Sequence, residues 1–246
     1  ESMSAQSQII QSLSDLCRKP QGPRDRQLLF GDGFTILERA DDWCFGQATK
    51  DGYQGYINTA DLARYTPATH WVSVLSSHAY AAPNLKSHDQ ISLPFGAQVT
   101  VSAEHGNFYQ TSAGFIPRQH LRATGDFLTD PREVAKMFLG CPYLWGGNSA
   151  AGIDCSGLIQ AACHATGRAC PGDSGPQQKF FPATEGDWAP GQLIFWPGHV
   201  ALTLSATHLI HANAHAMAVG IEAIDVAIAR IEAAGDGPML QRSQLT

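Results

Sequence analysis

Cys155 stands in a setting suited to nucleophilic chemistry. The run Gly152-Ile153-Asp154-Cys155-Ser156-Gly157 puts a cysteine where small, flexible residues give way to a helical pattern. At a helix start, the free first-turn N–H groups and the positive end of the dipole favour thiolate over thiol. A thiolate is the nucleophile of acyl transfer, and the same N–H groups can receive the developing oxyanion. A cysteine at such a position is more often a packed small residue than a nucleophile; the surrounding glycines and polar residues argue for chemistry. A base is then required. His199 lies between Gly198 and Val200 at the start of a strand-like run, and His211 follows twelve residues later in Leu209-Ile210-His211-Ala212-Asn213. Neighbouring antiparallel strands can set the two rings side by side, so that His211 holds the imidazole of His199 in a useful orientation. His78, His88, His105, His120, His164 and His215 read as surface or loop residues. A metal centre of Cys155, His199 and His211 is geometrically conceivable, but a triad already accounts for the three, and no metal or cofactor is expected.

These side chains need a helix and a set of strands to hold them. The spacing of Leu158, Ile159, Ala162 and Cys163 predicts a helix from Ser156 to Thr166, stopped by Gly167. An earlier helix start is visible in Thr129-Asp130-Pro131-Arg132-Glu133: Asp130 can cap, Pro131 suits the first helical position and Glu133 can complete a capping box. Val134, Met137 and Phe138 follow, and Gly140 can close that helix. Strand-like runs then cover 192–196, 199–204 and 208–212. One helical block followed by strands argues for an α+β domain over 126–246.

The first half has a different character. Phe30-Gly31 recurs as Phe95-Gly96, and Asp42-Trp43 as Asn107-Phe108; after a shortening, Gly55-Tyr56-Ile57 returns as Gly114-Phe115-Ile116 and Leu62 as Leu121. Each copy reads as short strands punctuated by Gly, Asp and Asn, with no helix-period pattern between 27 and 121. Two small all-β barrels follow, giving domains at 1–66, 67–125 and 126–246. Over about 8–125 this pattern resembles tandem bacterial SH3-like domains, through the phrase Gly52-Tyr53-Gln54-Gly55-Tyr56-Ile57.

Composition excludes several function classes. The chain has 246 residues, 43% of them apolar and 15% charged, with a net charge of -6. That hydrophobicity argues against disorder, and the absence of a basic footprint argues against nucleic acid as a partner. Apolar runs such as Leu193-Ile194-Phe195-Trp196 fall far short of the ~20 residues that span a bilayer, so no membrane partner is expected. The six cysteines are scattered without a C-x-x-C pair, which favours free thiols and a reducing compartment. Glu1 to Leu16 has no signal-like pattern, so a cytoplasmic location is expected, or a periplasmic or secreted one if a leader has been removed. A monomer is expected.

The runs Tyr143-Leu144-Trp145-Gly146-Gly147 and Asp154-Cys155-Ser156-Gly157-Leu158, with Gly198-His199-Val200-Ala201 and then His211, resemble the NlpC/p60 family of cysteine peptidases. The resemblance implies a papain-like α+β core, with Cys155 as nucleophile, His199 as general base and acid, His211 as the orienting residue and Tyr143 near the oxyanion. It also implies bacterial cell-wall (murein) peptides as substrates, cut between γ-D-glutamate and a diamino acid. SH3-like domains ahead of such a domain resemble the murein-peptide recycling endopeptidases, which take fragments with a free N-terminal L-Ala. A buried ammonium requires a carboxylate. Asp154 is the leading candidate; Asp173-Ser174, followed by Gln177, resembles a loop of the family that lines the same side, and Ser156 would add a hydroxyl. In similar enzymes an acidic residue and a tyrosine from the first SH3-like domain close the pocket. Here these are Asp32, where related chains usually carry Glu, and Tyr53, with Tyr56 close by. That Asp32 is a turn residue and Tyr53 a core aromatic carries nearly equal weight. A non-catalytic wall-binding protein is one alternative, and an amidase or acyltransferase using the same Cys-His site is another.

Overall fold

A computed structural model describes residues 5–245. The chain divides after Phe127 into two compact units. The first four residues of the expected 1–66 domain lie outside the described residues.

Among the described residues, the first unit is all β apart from two single 3-10 turns. Strands β1 (Ala5–Ile9), β2 (Leu13–Cys17), β3 (Arg24–Leu29), β4 (Gly33–Ala40), β5 (Trp43–Ala48), β6 (Gln54–Asn58) and β7 (Leu62–Arg64) form one antiparallel sheet in the order β3-β2-β6-β5-β4-β1-β7. It closes on Ile9, Leu16, Leu28, Phe34, Ile36 and Ile57. Strands β8 (His70–Val72), β9 (Ser76–Tyr80), β10 (Asp89–Pro94), β11 (Gln98–Val99), β12 (Val101–His105), β13 (Phe108–Thr111), β14 (Gly114–Pro117) and β15 (Leu121–Ala123) form two further sheets, β10-β9-β14-β13-β12 and β11-β8-β15. The repeat read from the sequence has a structural counterpart. Gly31 and Gly96 share a left-handed φ of 81° and 87°, and their N–H groups donate to the carbonyls of Ile9 and Val72, each at 2.8 Å. The 3-10 turns Thr59–Asp61 and Arg118–His120 close the two copies.

The two copies are joined through the repeat phrase itself. Phe30 leaves its own copy and packs into the second core with Val72, Ala79, Leu93 and Ile116. Its carbonyl accepts from Gln98 N at 2.8 Å. A Cβ on Gly31 would lie 2.0 Å from the Gln98 carbonyl oxygen, so only glycine permits this approach and the positive φ together. His78 and His120, expected at the surface, are half-buried here; they bond to Tyr80 Oη at 2.7 Å and Ser77 Oγ at 2.8 Å respectively.

The second unit is α+β. Helix α1 (Pro131–Met137) starts as the sequence suggests: Asp130 caps by accepting from Arg132 N, and Pro131 takes the first helical position. Glu133 does not complete a capping box, because its carboxylate pairs with Lys136 at 2.7 Å. The hairpin β16 (Asn148–Ser149) and β17 (Gly152–Ile153) leads into α2 (Cys155–Ala165), and α3 (Ser174–Phe180) follows. Strands β18 (Gln192–Trp196), β19 (His199–Thr203), β20 (His208–Asn213) and β21 (Ala218–Ala223), helix α4 (Ile224–Ala233) and strand β22 (Gln241–Gln244) complete the unit. The five strands form an antiparallel sheet, β21-β20-β19-β18-β22. Helix α2 packs against β19 and β20, while α4 packs beside β21. The apolar stripe Ile224, Ala227 and Ile231 of α4 joins Ile194, Trp196, Ala201 and Leu209 of the sheet in one core. Helices α3 and α4 and strands β16, β17, β21 and β22 are additions to the sequence-based reading. Among the described residues no helix is long and apolar enough to cross a membrane.

Candidate active site

Cys155 is the first residue of α2, as its sequence setting suggests, and Asp154 is its N-cap. The Asp154 carboxylate is buried and accepts from Gly157 N at 2.7 Å, Ser156 Oγ at 3.1 Å and Gly146 N at 3.0 Å. One side chain therefore fixes the helix start, the Ser156 hydroxyl and the glycine turn that precedes the hairpin. The turn must be tight: a Cβ on Gly147 would lie 2.3 Å from the Gly152 carbonyl oxygen. These bonds hold Cys155 at the N-terminus of a helix of eleven residues, where the dipole favours negative charge. All six cysteines are free thiols. Cys155 is 7% exposed, and its Sγ lies 3.9 Å from the Gly198 carbonyl oxygen, the residue before His199.

The two histidines meet as their spacing predicts. Thr203 pairs with Leu209, and Leu209 with Glu222, so period-two alternation puts His199, His211 and Glu222 on one face of the sheet. His199 Nε2 and His211 Nδ1 are 2.8 Å apart. His211 is fully buried, and its Nε2 faces Glu222 Oε2 at 2.5 Å. Arg230 of α4 clamps that carboxylate with two bonds, Nε to Oε1 at 3.1 Å and a terminal nitrogen to Oε2 at 2.6 Å. The His211 bond, followed by those from Arg230, holds the Glu222 carboxyl down to about 2. The His199 ring keeps a partial opening to solvent but is largely enclosed. Burial first, then the neighbouring His211 and Arg230, pushes it down to about 3, with Glu222 pulling the other way. At neutral pH it is an uncharged imidazole, ready to accept a proton.

The remaining expected residues fall in three places. Half-buried Tyr143 lies on the segment beside β17, bridging to Ile153 two residues before Cys155. Asp173 and Ser174 do not form a loop, as the sequence resemblance implies: Asp173 is the N-cap position of α3 and Ser174 its first residue. The correction has a local cause, since Gly175-Pro176 gives a weak helix signal that the apolar pattern does not support. Buried Gln177 ties this helix to the site, donating to the Ser156 carbonyl at 3.0 Å and the Pro171 carbonyl at 2.9 Å. Asp173 has φ 63° and ψ 143°, a region that is costly for a residue with a Cβ. In the first unit, the Asp32 carboxylate is buried and accepts from Leu29 N at 2.8 Å and Lys50 Nζ at 2.7 Å. Tyr53 packs against the first β core. For both, the contacts within the unit match the turn and core alternatives stated above.

Glu222 and Arg230 were not legible as site residues. The helical stripe from Ile224 onward carries a detectable period, but the join between Glu222 and His211 depends on strand register.

Comparisons with known proteins agree with this architecture. Residues 16–62 match the bacterial dipeptidyl-peptidase SH3 domain and residues 140–231 match the NlpC/P60 family. A gamma-D-glutamyl-L-lysine dipeptidyl-peptidase of Bacillus cereus is 29% identical over 76% of this chain, which spans 66% of that protein's length. Dipeptidyl-peptidase 6 of Lysinibacillus sphaericus is 26% identical over 81% of this chain and 83% of its own. In fold, the crystal structure of an NlpC/P60 family protein from Bacillus cereus matches with a TM-score of 0.83 at 20% identity, covering 98% of this chain and 99% of the other. The chain thus carries a bacterial dipeptidyl-peptidase SH3 domain followed by an NlpC/P60 domain, and the latter holds the helix-capped cysteine and the histidine pair of a cysteine peptidase.

Proposed function

We propose that this cysteine peptidase hydrolyses the bond between γ-D-glutamate and a diamino acid in murein-derived peptides, taking fragments with a free N-terminal L-Ala. The observation that carries the reading is the Asp154-capped Cys155 beside Gly198, followed in the next two strands by the bonded His199–His211 pair. In this mechanism the Cys155 thiol proton passes to His199 as Sγ attacks the γ-glutamyl carbonyl carbon. The amide C–N bond then breaks, and the leaving amine takes that proton. Water, giving its proton to His199, attacks the thioester and releases the dipeptide and the thiol. N–H groups at the start of α2 and the Tyr143 hydroxyl are assigned to the oxyanion. His211 orients His199.

The names of the relatives support the γ-D-glutamyl bond as the target. For the free amine, Asp173 and Ser174 are assigned alongside Asp154, on the helix whose Gln177 donates to the Ser156 carbonyl. Asp154 already holds the helix start, so any contact with substrate adds to that task. The test is to compare L-Ala-γ-D-Glu-L-Lys with its N-acetylated form, measuring free lysine. Acetylation should remove most of the activity, because the carboxylate that binds the ammonium would then lack its cation. Equal rates on both peptides would eliminate the free-amine requirement and leave the cysteine chemistry standing.

A further inference from the structure

We infer that Glu222, held by Arg230, is a positioning residue that fixes the ring proton of His211 and, through it, leaves the lone pair of His199 on Nδ1. The inference rests on the peptidase reading for its catalytic consequence, but its structural content stands on bonding alone. An ionised carboxylate only accepts hydrogen bonds. Glu222 Oε2 facing His211 Nε2 therefore requires the His211 proton on Nε2. Neutral His211 then presents a lone pair at Nδ1, so the 2.8 Å contact must be a donation from His199 Nε2–H. His199 is left with its lone pair on Nδ1, the nitrogen not occupied by the sheet. A cationic His211 would reverse this, donating to His199 Nε2 and forcing the His199 proton onto Nδ1. Arg230 opposes that state by neutralising the carboxylate with two bonds. The charged and titratable groups around His211 are thus His199 from β19, Glu222 from β21 and Arg230 from α4. Low intrinsic basicity of the enclosed His199 ring is consistent with the neutral arrangement.

The conservative and disruptive substitutions separate cleanly. In Glu222→Gln, an amide oxygen at the Oε2 position keeps the His211 bond and one Arg230 bond, and loses only the 3.1 Å contact at Oε1. In Glu222→Leu no acceptor remains, and the His211 proton is free to move to Nδ1. The experiment is nitrogen-15 NMR of the full chain labelled at histidine, at pH 7, together with kcat and KM on L-Ala-γ-D-Glu-L-Lys. Wild type and Glu222→Gln should carry Nε2–H on both rings, with kcat within about threefold of each other. Glu222→Leu should move the His199 proton to Nδ1 and lower kcat by roughly 10- to 100-fold, the range found for residues that orient a ligand histidine, with KM changed less than about threefold. A wild-type pattern in folded Glu222→Leu would overturn the inference, as would Nδ1–H on His199 in the wild type. Should Glu222→Leu fail to fold, the wild-type and Glu222→Gln spectra still decide. A wild type that cleaves no murein peptide would sink the peptidase reading, while the ring-proton pattern would still judge Glu222.

Discussion

Removing the Asp154 carboxylate should loosen the start of α2 before it touches any chemistry. In Asp154→Ala, Gly157 N loses the cap bond of 2.7 Å and Gly146 N its partner at 3.0 Å, both in a buried setting. Loss of a cap costs about 1 kcal/mol, and a buried N–H left unpaired costs about 1–3 kcal/mol. Withdrawal of negative charge from the helix N-terminus adds about 0.3–1 kcal/mol. The sum is roughly 2–5 kcal/mol, a large share of the ~5–15 kcal/mol that stabilises a typical domain. Asp154→Asn can keep the Gly157 bond through its amide oxygen, but turns an amide N–H toward Gly146 N, so it should cost about 1–3 kcal/mol. Hydrogen exchange read by mass spectrometry on peptides from α2 reports the opening free energy of that segment in the full chain. The order wild type, Asn, Ala in protection is expected. If Ala lowers the opening free energy by less than about 0.5 kcal/mol, Asp154 is not the residue that holds Cys155 in place.

Two further predictions follow from the electrostatics and the backbone. The unfolded chain protonates His199 near 6.5, whereas the fold resists protonation until about pH 3; stability is therefore undiminished above pH 6.5 and falls as pH drops toward 3, by at most ~1.4 kcal/mol per unit from this residue. Glu222 acts in the same direction at lower pH, its contribution being present above 4.5 and lost as pH falls through about 2. Urea midpoints between pH 7 and pH 4 should show the decline, and His199→Gln should flatten it; a variant with an unchanged slope would refute the burial assigned to this ring. Asp173→Gly should relieve the φ of 63° and raise stability by about 1 kcal/mol. The same change should raise KM for the free-amine peptide at least tenfold, which costs ~1.4 kcal/mol of binding; an unchanged KM would remove Asp173 from the substrate.

Much of this organisation was visible in the residues. The Gly31/Gly96 repeat was legible because a left-handed turn needs glycine in both copies, and the α2 start because small residues, a capping Asp and an apolar stripe coincide. The pairing of His199 with His211 was legible because a short β connection fixes neighbours. What stayed hidden depends on contacts remote in sequence. Phe30 sits in the second β core and not in its own, which no local pattern announces. Helix α3 begins at a strained Asp and contains Gly and Pro, so local propensity argues against it and Gln177 bonding to α2 overrides that propensity. Glu222 meets His211 through strand register, and Arg230 reaches Glu222 from α4, eight residues further on.

The most direct test of the cysteine chemistry is release of free lysine from L-Ala-γ-D-Glu-L-Lys by the wild type and by Cys155→Ala. Sγ attack on the γ-glutamyl carbonyl predicts turnover by the wild type and none above background for a folded Cys155→Ala. Equal release by the two proteins would contradict it.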